Sequence, residues 1–368
     1  MNNANSPVAV GQRQPRLGAP VVVITGGSSG IGRCTAAFFA QRGWHVGIIA
    51  RGENGLAASC RDIKAHGASV ISCQADVTDS VALCWAANTI SQALGPIDVW
   101  INCAGNGTYG RFEDVPEEEF RRVTDVTYHG TVNGTRIALK HMRSRGTGTI
   151  VNVCSAVAFH GLPLMSSYAG AKAAVRGFGQ AVRAELKFQR SGIRVTTVFP
   201  PAVNTPFFSH ATSHMGWPAQ PVRPLYQPEI VAQGIWQAVA RGRSEMAISG
   251  TAGGFSLATR ISPSLIAWCM GRLKSDSQFT RRQEVCQLED PTLFAPSSRV
   301  FGVHGPFGER ARRRSVQLWF DRCVSRVLDV FKPRQSPNAR SAVLLPSKPV
   351  PTGPHQEPAD LVLHTGDL

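Results

Sequence analysis

The sequence predicts an α/β fold: a doubly wound parallel sheet of seven strands with helices on both faces. Three observations carry that expectation. Short apolar, β-branched runs alternate with helix-patterned stretches over residues 18–250, the order of a sheet whose crossovers are helices. The first run, Val21 to Ile24, has no polar interruption, as a strand buried on both faces requires. It leads into Gly26, Gly30 and Gly32 at the spacing G-x-x-x-G-x-G, and a helix pattern follows.

Taken in order, strands are expected near Val21–Thr25, Val46–Ala50, Val70–Gln74, Ile97–Cys103, Ile150–Cys154, Arg194–Phe199 and Glu245–Ile248. Helices are expected near Gly30–Gln41, Leu56–His66, Ser80–Leu94, Glu117–Met142, Ser167–Ser191 and Pro228–Arg241. In the first helix, Cys34, Ala37, Phe38 and Phe39 supply an apolar face before Gly43 stops it. The glycine turn between first strand and first helix is the context of a dinucleotide site. Glycines let the main chain approach a phosphate, and the helix start offers free N–H groups and a positive dipole end. Thr25, Ser28, Ser29 and Ile31 belong to the same turn. The second strand runs into Ala50 and Arg51, with no carboxylate before Glu53, and Arg33 lies just past the last glycine. Basic groups there favour the 2′-phosphate of NADP over the free ribose hydroxyl of NAD. The alternative is that both arginines are solvated surface groups; the reading favoured is NADP.

Tyr168 and Lys172 stand four residues apart, so a helix sets them on one face about one turn apart, with Ser155 thirteen residues upstream of the tyrosine. An ammonium near a phenol favours the phenolate and draws its pKa down from about 10. Ser155 can then hold a substrate oxygen while Tyr168 exchanges a proton with it, which is equipment for interconverting an alcohol and a carbonyl.

The glycine cluster, the Asn102–Gly105 stretch and the Ser155, Tyr168, Lys172 set, in this order, resemble the short-chain dehydrogenase/reductase family in its non-extended branch, over about residues 18–250. The resemblance implies a Rossmann fold and further cofactor contacts. Asp76 and Val77 would lie beside the adenine, Pro201, Ala202, Val203 and Thr205 would clasp the nicotinamide, and Asn102, Ala104 and Gly105 would support the nucleotide. It implies Tyr168 as general acid and base, Lys172 lowering the tyrosine pKa and bonding the nicotinamide ribose, and Ser155 orienting the substrate oxygen. Two departures stand out. Thr127 occupies the position of a relay asparagine and is the relay candidate; Ala202 replaces a glycine and would be strained if its φ were positive. The activity implied is an NADP-dependent oxidoreductase acting on a secondary alcohol or carbonyl. A non-catalytic NADP(H)-binding sensor on the same fold is the alternative.

Composition bounds the rest. At 368 residues, 43% of them hydrophobic, the chain can bury a large core. The expected layout is a flexible segment over 1–17, the catalytic domain over 18–250, a helical or irregular extension over 251–331, and a Pro-rich disordered tail over 332–368. Within the extension, residues 305–331 read as a turn and a basic amphipathic helix. The prolines and aromatics of residues 205–227, among them Phe207, Phe208, Trp217 and Tyr226, imply a hydrophobic alcohol or ketone as substrate or a lid packed on the body. His160 and His210 are candidates for the pocket wall, and the cysteines and histidines show no metal-ligand spacing. Cys154 beside Ser155 reads as reactive or as simple packing. No signal peptide or apolar span is visible, so the chain reads as cytoplasmic. A formal charge of +15 suits anionic surfaces, but no nucleic-acid motif accompanies it. Ile261 to Lys274 suits an interfacial helix at a membrane surface and an ordinary pocket or dimer helix equally. A dimer or tetramer is what the resemblance implies.

Overall fold

A computed structural model of the chain describes residues 18–272, 275–287, 290–299 and 301–318. The expected flexible segment over 1–17, the disordered tail over 332–368 and the 319–331 end of the basic helix lie outside the described residues.

Seven parallel strands form the sheet: β1 (Val21–Thr25), β2 (His45–Ala50), β3 (Val70–Gln74), β4 (Ile97–Asn102), β5 (Thr147–Val153), β6 (Gly192–Phe199) and β7 (Glu245–Ala247). Their order is β7-β6-β5-β4-β1-β2-β3, so the chain winds one way from β1 to β3 and returns to wind the other way from β4. Helices α1 (Gly30–Ala40), α2 (Glu53–Ala65), α3 (Ser80–Leu94), α4 (Glu117–Thr124), α5 (Gly130–Arg143), α6 (Ser166–Phe188) and α7 (Pro228–Arg241) connect them. The alternation of β1 explains the layers. Val22 and Ile24 pack with Phe39, Ile48 and Ile235 on one face, while Val21 and Val23 pack with Leu83, Ile90 and Trp100 on the other. A doubly wound sheet puts its ligand crevice at the carboxyl ends of the strands where the order reverses, between β1 and β4.

The single helix expected over Glu117–Met142 is interrupted. Asp125–His129 form a π-turn between α4 and α5, where the Gly130 N–H reaches back to the Asp125 carbonyl. Such a turn carries one residue more than the α-period allows, and the side-chain pattern on either side does not reveal it.

After β7 come α8 (Gly250–Ile261) and α9 (Pro263–Gly271), so the apolar stretch from Ile261 is broken at Ser262–Pro263; its end, Lys274, is outside the described residues. Of the turn and basic helix expected over 305–331, the turn is present, but two extended residues follow it and the chain becomes helical only at Val316. Gly308–Arg310 form a short 3-10 turn, and Ala311–Arg312 are extended and pair in parallel with Leu225–Tyr226. Pairing wins because Leu225–Tyr226 also pair with Ala202–Val203 and leave a second free edge for Ala311–Arg312. The segment then reaches the core, where Leu318 is fully buried beside Val239 and Met246.

Candidate active site

The carboxyl ends of β1, β4, β5 and β6 border a cavity of about 580 Å³, and one end of it gathers Ser155, Tyr168 and Lys172. The four-residue spacing on α6 turns the tyrosine and lysine to the same side. Ser155 follows β5 directly and caps the short turn Ala156–Ala158, its Oγ accepting from the Val157 N–H at 3.4 Å. Lys172 is buried, and its Nζ donates to the Val153 carbonyl at 2.7 Å and sits 5.6 Å from the Tyr168 ring centre. Burial holds this ammonium below the ordinary lysine pKa. Tyr168 is partly buried and faces the cavity, and desolvation raises its pKa well above the ordinary phenol value; a hydrogen bond with Ser155 offsets part of that rise. Burial dominates, Ser155 supplies the lowering, and the phenol is not drawn down as the Tyr168–Lys172 spacing predicts.

Cys154 is buried, its thiol donates to the Lys172 carbonyl at 3.1 Å, and burial pushes it up to about 11, which makes it a packing residue. Thr127 lies in the π-turn, where its hydroxyl exchanges hydrogen bonds with the Asn106 backbone at 3.4 and 3.3 Å. A Cβ on Gly105 would stand 3.6 Å from that hydroxyl and 3.7 Å from Lys172 Nζ, so the glycine keeps the space between them open. Ala202 carries no strain: among the described residues only Leu164 and Arg190 are non-glycines with positive φ, and Ala202 is extended and paired with Leu225.

The other end of the cavity begins at the glycine turn. Gly30 has φ +50°, and a Cβ on Gly32 would run into the Gly26 carbonyl, so both positions depend on a missing side chain. Ser28, Ser29, Ile31, Arg51, Asp76, Val77, Ala104, Pro201, Val203 and Thr205 all line the wall, as expected. Three expected contacts do not. The Thr25 hydroxyl accepts from the backbone N–H groups of Cys103 and Ala104, tying β1 to the end of β4. Asn102 is buried and bonds Trp100, Thr135 and Asn152. Arg33 pairs with Asp62 at 2.7 Å and donates to the Phe301 carbonyl. These three hold the frame behind the wall.

A dinucleotide fits the residues present. Asn106 lines the cavity, is buried, and has neither side-chain polar atom hydrogen-bonded, which marks a place for a polar ligand group. Asp76 and Val77 line the same cavity, and Asp76 is held below the ordinary carboxylate range because bonds from Arg122 and Thr78 outweigh its burial.

A family profile described as short chain dehydrogenase matches residues 20–216, more than half of the chain. The chain belongs to the short-chain dehydrogenase/reductase family. It is 32% identical over 284 residues to an uncharacterized oxidoreductase, YxnA of Bacillus subtilis, covering 77% of this chain and 80% of that one. It is 34% identical to the 3-ketodihydrosphingosine reductase of Bos taurus over 51% of this chain and 58% of the bovine protein. Among solved structures, actinorhodin polyketide ketoreductase with NADPH superposes with a TM-score of 0.58 at 26% identity, over 65% of this chain and 99% of that one. A short-chain dehydrogenase/reductase from Burkholderia phymatum in complex with NAD shares the fold, with a TM-score of 0.61 at 22% identity over 67% of this chain and 95% of that one.

The cavity wall continues beyond Tyr168. Here it is lined by Leu162, Met165, Phe207, Phe208, Phe255 and Met270, with His210, Gln220 and Gln278 as polar points. Of the two candidate histidines, His210 is on the wall, while His160 bonds the Gly161 carbonyl outside it. Phe207 and Phe208 both line the cavity and pack the lid, Tyr226 packs in the main core, and Trp217 is half exposed beside Arg281. Sequence reasoning missed Asn106, one residue past the Asn102–Gly105 stretch, and Arg122. It also missed Thr292, Pro296, Ser297 and Phe301, which reach the wall from about 240 residues beyond β2.

Proposed function

We propose that the protein is an NADP(H)-dependent oxidoreductase that interconverts a hydrophobic secondary alcohol and its carbonyl, with Tyr168 as acid and base. The reading rests on one observation: Ser155, Tyr168 and Lys172 converge on one end of a cavity whose other end is the glycine turn. The turn residues and Thr205 would hold the pyrophosphate and nicotinamide parts of the cofactor, and Asp76 and Val77 the adenine. Arg51 supports the 2′-phosphate form, because the end of β2 supplies a cation and no carboxylate of its own, and Asp76, 3.9 Å from Arg51, is shared with Arg122. A bound nicotinamide supplies or takes up the hydride exchanged with the substrate carbon.

In reduction, negative charge gathers on the substrate oxygen. The Ser155 hydroxyl donates to that oxygen and the Tyr168 phenol gives it a proton. A raised pKa keeps the phenol protonated and ready to act as an acid. The phenolate left behind faces the buried Lys172 ammonium about one helical turn away, which favours its charge in a dry site. Thr127 is the nearest hydroxyl on the far side of Gly105 and would pass a proton onward from Lys172. In oxidation the same groups run in reverse.

The apolar wall favours an alkyl or aryl ketone over a sugar or a hydroxy acid. Leu257, Ile261, Leu265 and Trp268 on α8 and α9 are 59%, 75%, 55% and 55% exposed, with the Arg272 guanidinium stacked over the Trp268 ring. Phe255 and Met270 of the same helices line the cavity, so peripheral contact with an anionic bilayer is part of the proposal. No helix among the described residues is long and apolar enough to cross a membrane. A screen of long-chain and aromatic ketones by NADPH absorbance tests the activity. Consumption by wild type, lost in Tyr168→Phe with NADPH binding retained, is expected. NADPH binding without consumption of any ketone or alcohol would favour the non-catalytic sensor.

A further inference from the structure

The polypeptide over residues 290–299 and 301–302 passes along the cavity beside the loop after β2, held there on backbone carbonyls. Arg51, at the end of β2, donates to the carbonyls of Thr292 at 2.5 Å, Leu293 at 3.3 Å and Phe294 at 3.1 Å. Arg122, on α4, donates to the Leu293 carbonyl at 3.1 Å. Farther along, the Arg33 guanidinium donates to the Phe301 carbonyl at 2.8 Å and the Gly30 N–H to the Gly302 carbonyl at 3.0 Å. A Cβ on Gly52 would stand 3.2 Å from Pro296, and one on Gly55 3.3 Å from Phe301, so this strap lies directly on the loop after β2 and on α2. Its near end is pinned to the substrate lid, with Asp290 N–H on the Ser209 carbonyl at 2.9 Å and Thr292 N–H on the His210 carbonyl at 3.0 Å.

The charges beneath the strap do not cancel. Arg51 and Arg122 both approach one carboxylate, Asp76, which leaves an excess of one positive charge met by neutral acceptors: the Thr78 hydroxyl and the strap carbonyls. Three carbonyl oxygens converging on a guanidinium present the same kind of acceptor set as the oxygens of a phosphate monoester, without its charge. An ionic acceptor is the stronger partner for a guanidinium, so a phosphate arriving at Arg51 takes donors that the strap now holds.

We propose that residues 290–299, with 301 and 302, form a cofactor-discriminating strap, in which the carbonyls of Thr292–Phe294 compete with an adenosine 2′-phosphate for Arg51 and Arg122. A nucleotide bearing the 2′-phosphate binds at the expense of the 290–294 contacts and frees that part of the strap. A nucleotide without it binds beneath a strap that stays docked. Arg122 thereby becomes a second cation for the 2′-phosphate, and the cofactor's phosphate is read through a segment joined to the substrate lid at Ser209 and His210. This rests on the NADP(H) reading above.

Hydrogen exchange on the full chain tests it, with adenosine 2′,5′-bisphosphate and 5′-AMP as probes at saturating concentration. Exchange of the 290–299 amides should rise with the bisphosphate by between about five- and a hundredfold, the usual range for coupled equilibria, and should hold or fall with 5′-AMP. Equal protection by both nucleotides, or a bisphosphate that does not bind, overturns the proposal. Arg51→Ala should raise exchange over 290–299 without any nucleotide and abolish the difference between the two probes. A strap still protected in that variant also overturns it. If the bisphosphate frees the strap but no ketone or alcohol is turned over with NADPH or NADP, the oxidoreductase reading fails and the strap stands.

Discussion

The two ends of the cavity are built in opposite ways. The reacting end takes its polar groups from side chains near one another in sequence: Ser155, Tyr168 and Lys172 fall within 18 residues, on the end of β5 and one face of α6. The end at the glycine turn closes with the carbonyls of Thr292, Leu293, Phe294 and Phe301 laid on Arg51 and Arg33, which precede them by more than 240 positions. A site of closely spaced side chains is rigid because a strand end and a helix already fix it. A site completed by a distant strap has contacts that can be exchanged for a ligand's.

Four measurements break or sharpen that contrast. The largest effect belongs to the reacting end. Tyr168→Phe should cut turnover by about 10²–10⁴-fold, the usual size of a lost general acid, while NADPH affinity by fluorescence titration stays near wild type. Unchanged turnover would move the chemistry elsewhere in the cavity.

Next comes the chain beyond the strap. Leu318 is fully buried in the sheet's own core, so Leu318→Ala should lower unfolding stability by about 2–5 kcal/mol in urea titration. A negligible loss would mean that the segment after β7 only rests on the surface.

Third is an acid response at Asp76. Arg122 and Thr78 hold Asp76 below its ordinary range, so its contribution is present above the unfolded pKa of about 3.9 and is lost as pH falls through the lower folded value. Asp76→Asn should flatten the decline of stability below about pH 4, by under about 1 kcal/mol for so partly exposed a pair. Urea midpoints between pH 3 and 7 read it, and an unaltered slope would show that Asp76 carries none of the decline.

The smallest effect on stability is expected on α9. Trp268→Ala should shift it by no more than about 0.5 kcal/mol, yet should weaken sedimentation with anionic vesicles. Equal vesicle binding would sink the bilayer contact and leave the cavity chemistry untouched.

What the sequence disclosed follows from the same contrast. Strand and helix positions from β1 to α7 were legible because burial on both faces of a parallel sheet writes apolar runs, and helices write a period. The glycine turn and the Tyr168–Lys172 pair were legible because their chemistry needs particular side chains at fixed spacing. The strap was not, since the carbonyls of Thr292, Leu293 and Phe294 are groups that every residue owns. Arg33 and Arg51 were both visible as cations, but only the fold tells that Asp62 and Phe301 take the first while the strap takes the second. Ala311–Arg312 read as helix because their basic, amphipathic setting favours one; the free edge at Leu225–Tyr226 decided otherwise.

The π-turn at Asp125–His129 acts as a phase shifter between two helices. One residue more or fewer in an α-helix turns everything on one side by about 100°. Excising a single residue there would rotate α4 against α5, carrying the Arg122 guanidinium off Asp76 while Thr127 stayed facing Asn106, or the reverse. Those five residues thus set the angular agreement between Arg122 on α4 and the side of the cleft where Thr127 meets Asn106, and their number matters more than their identity.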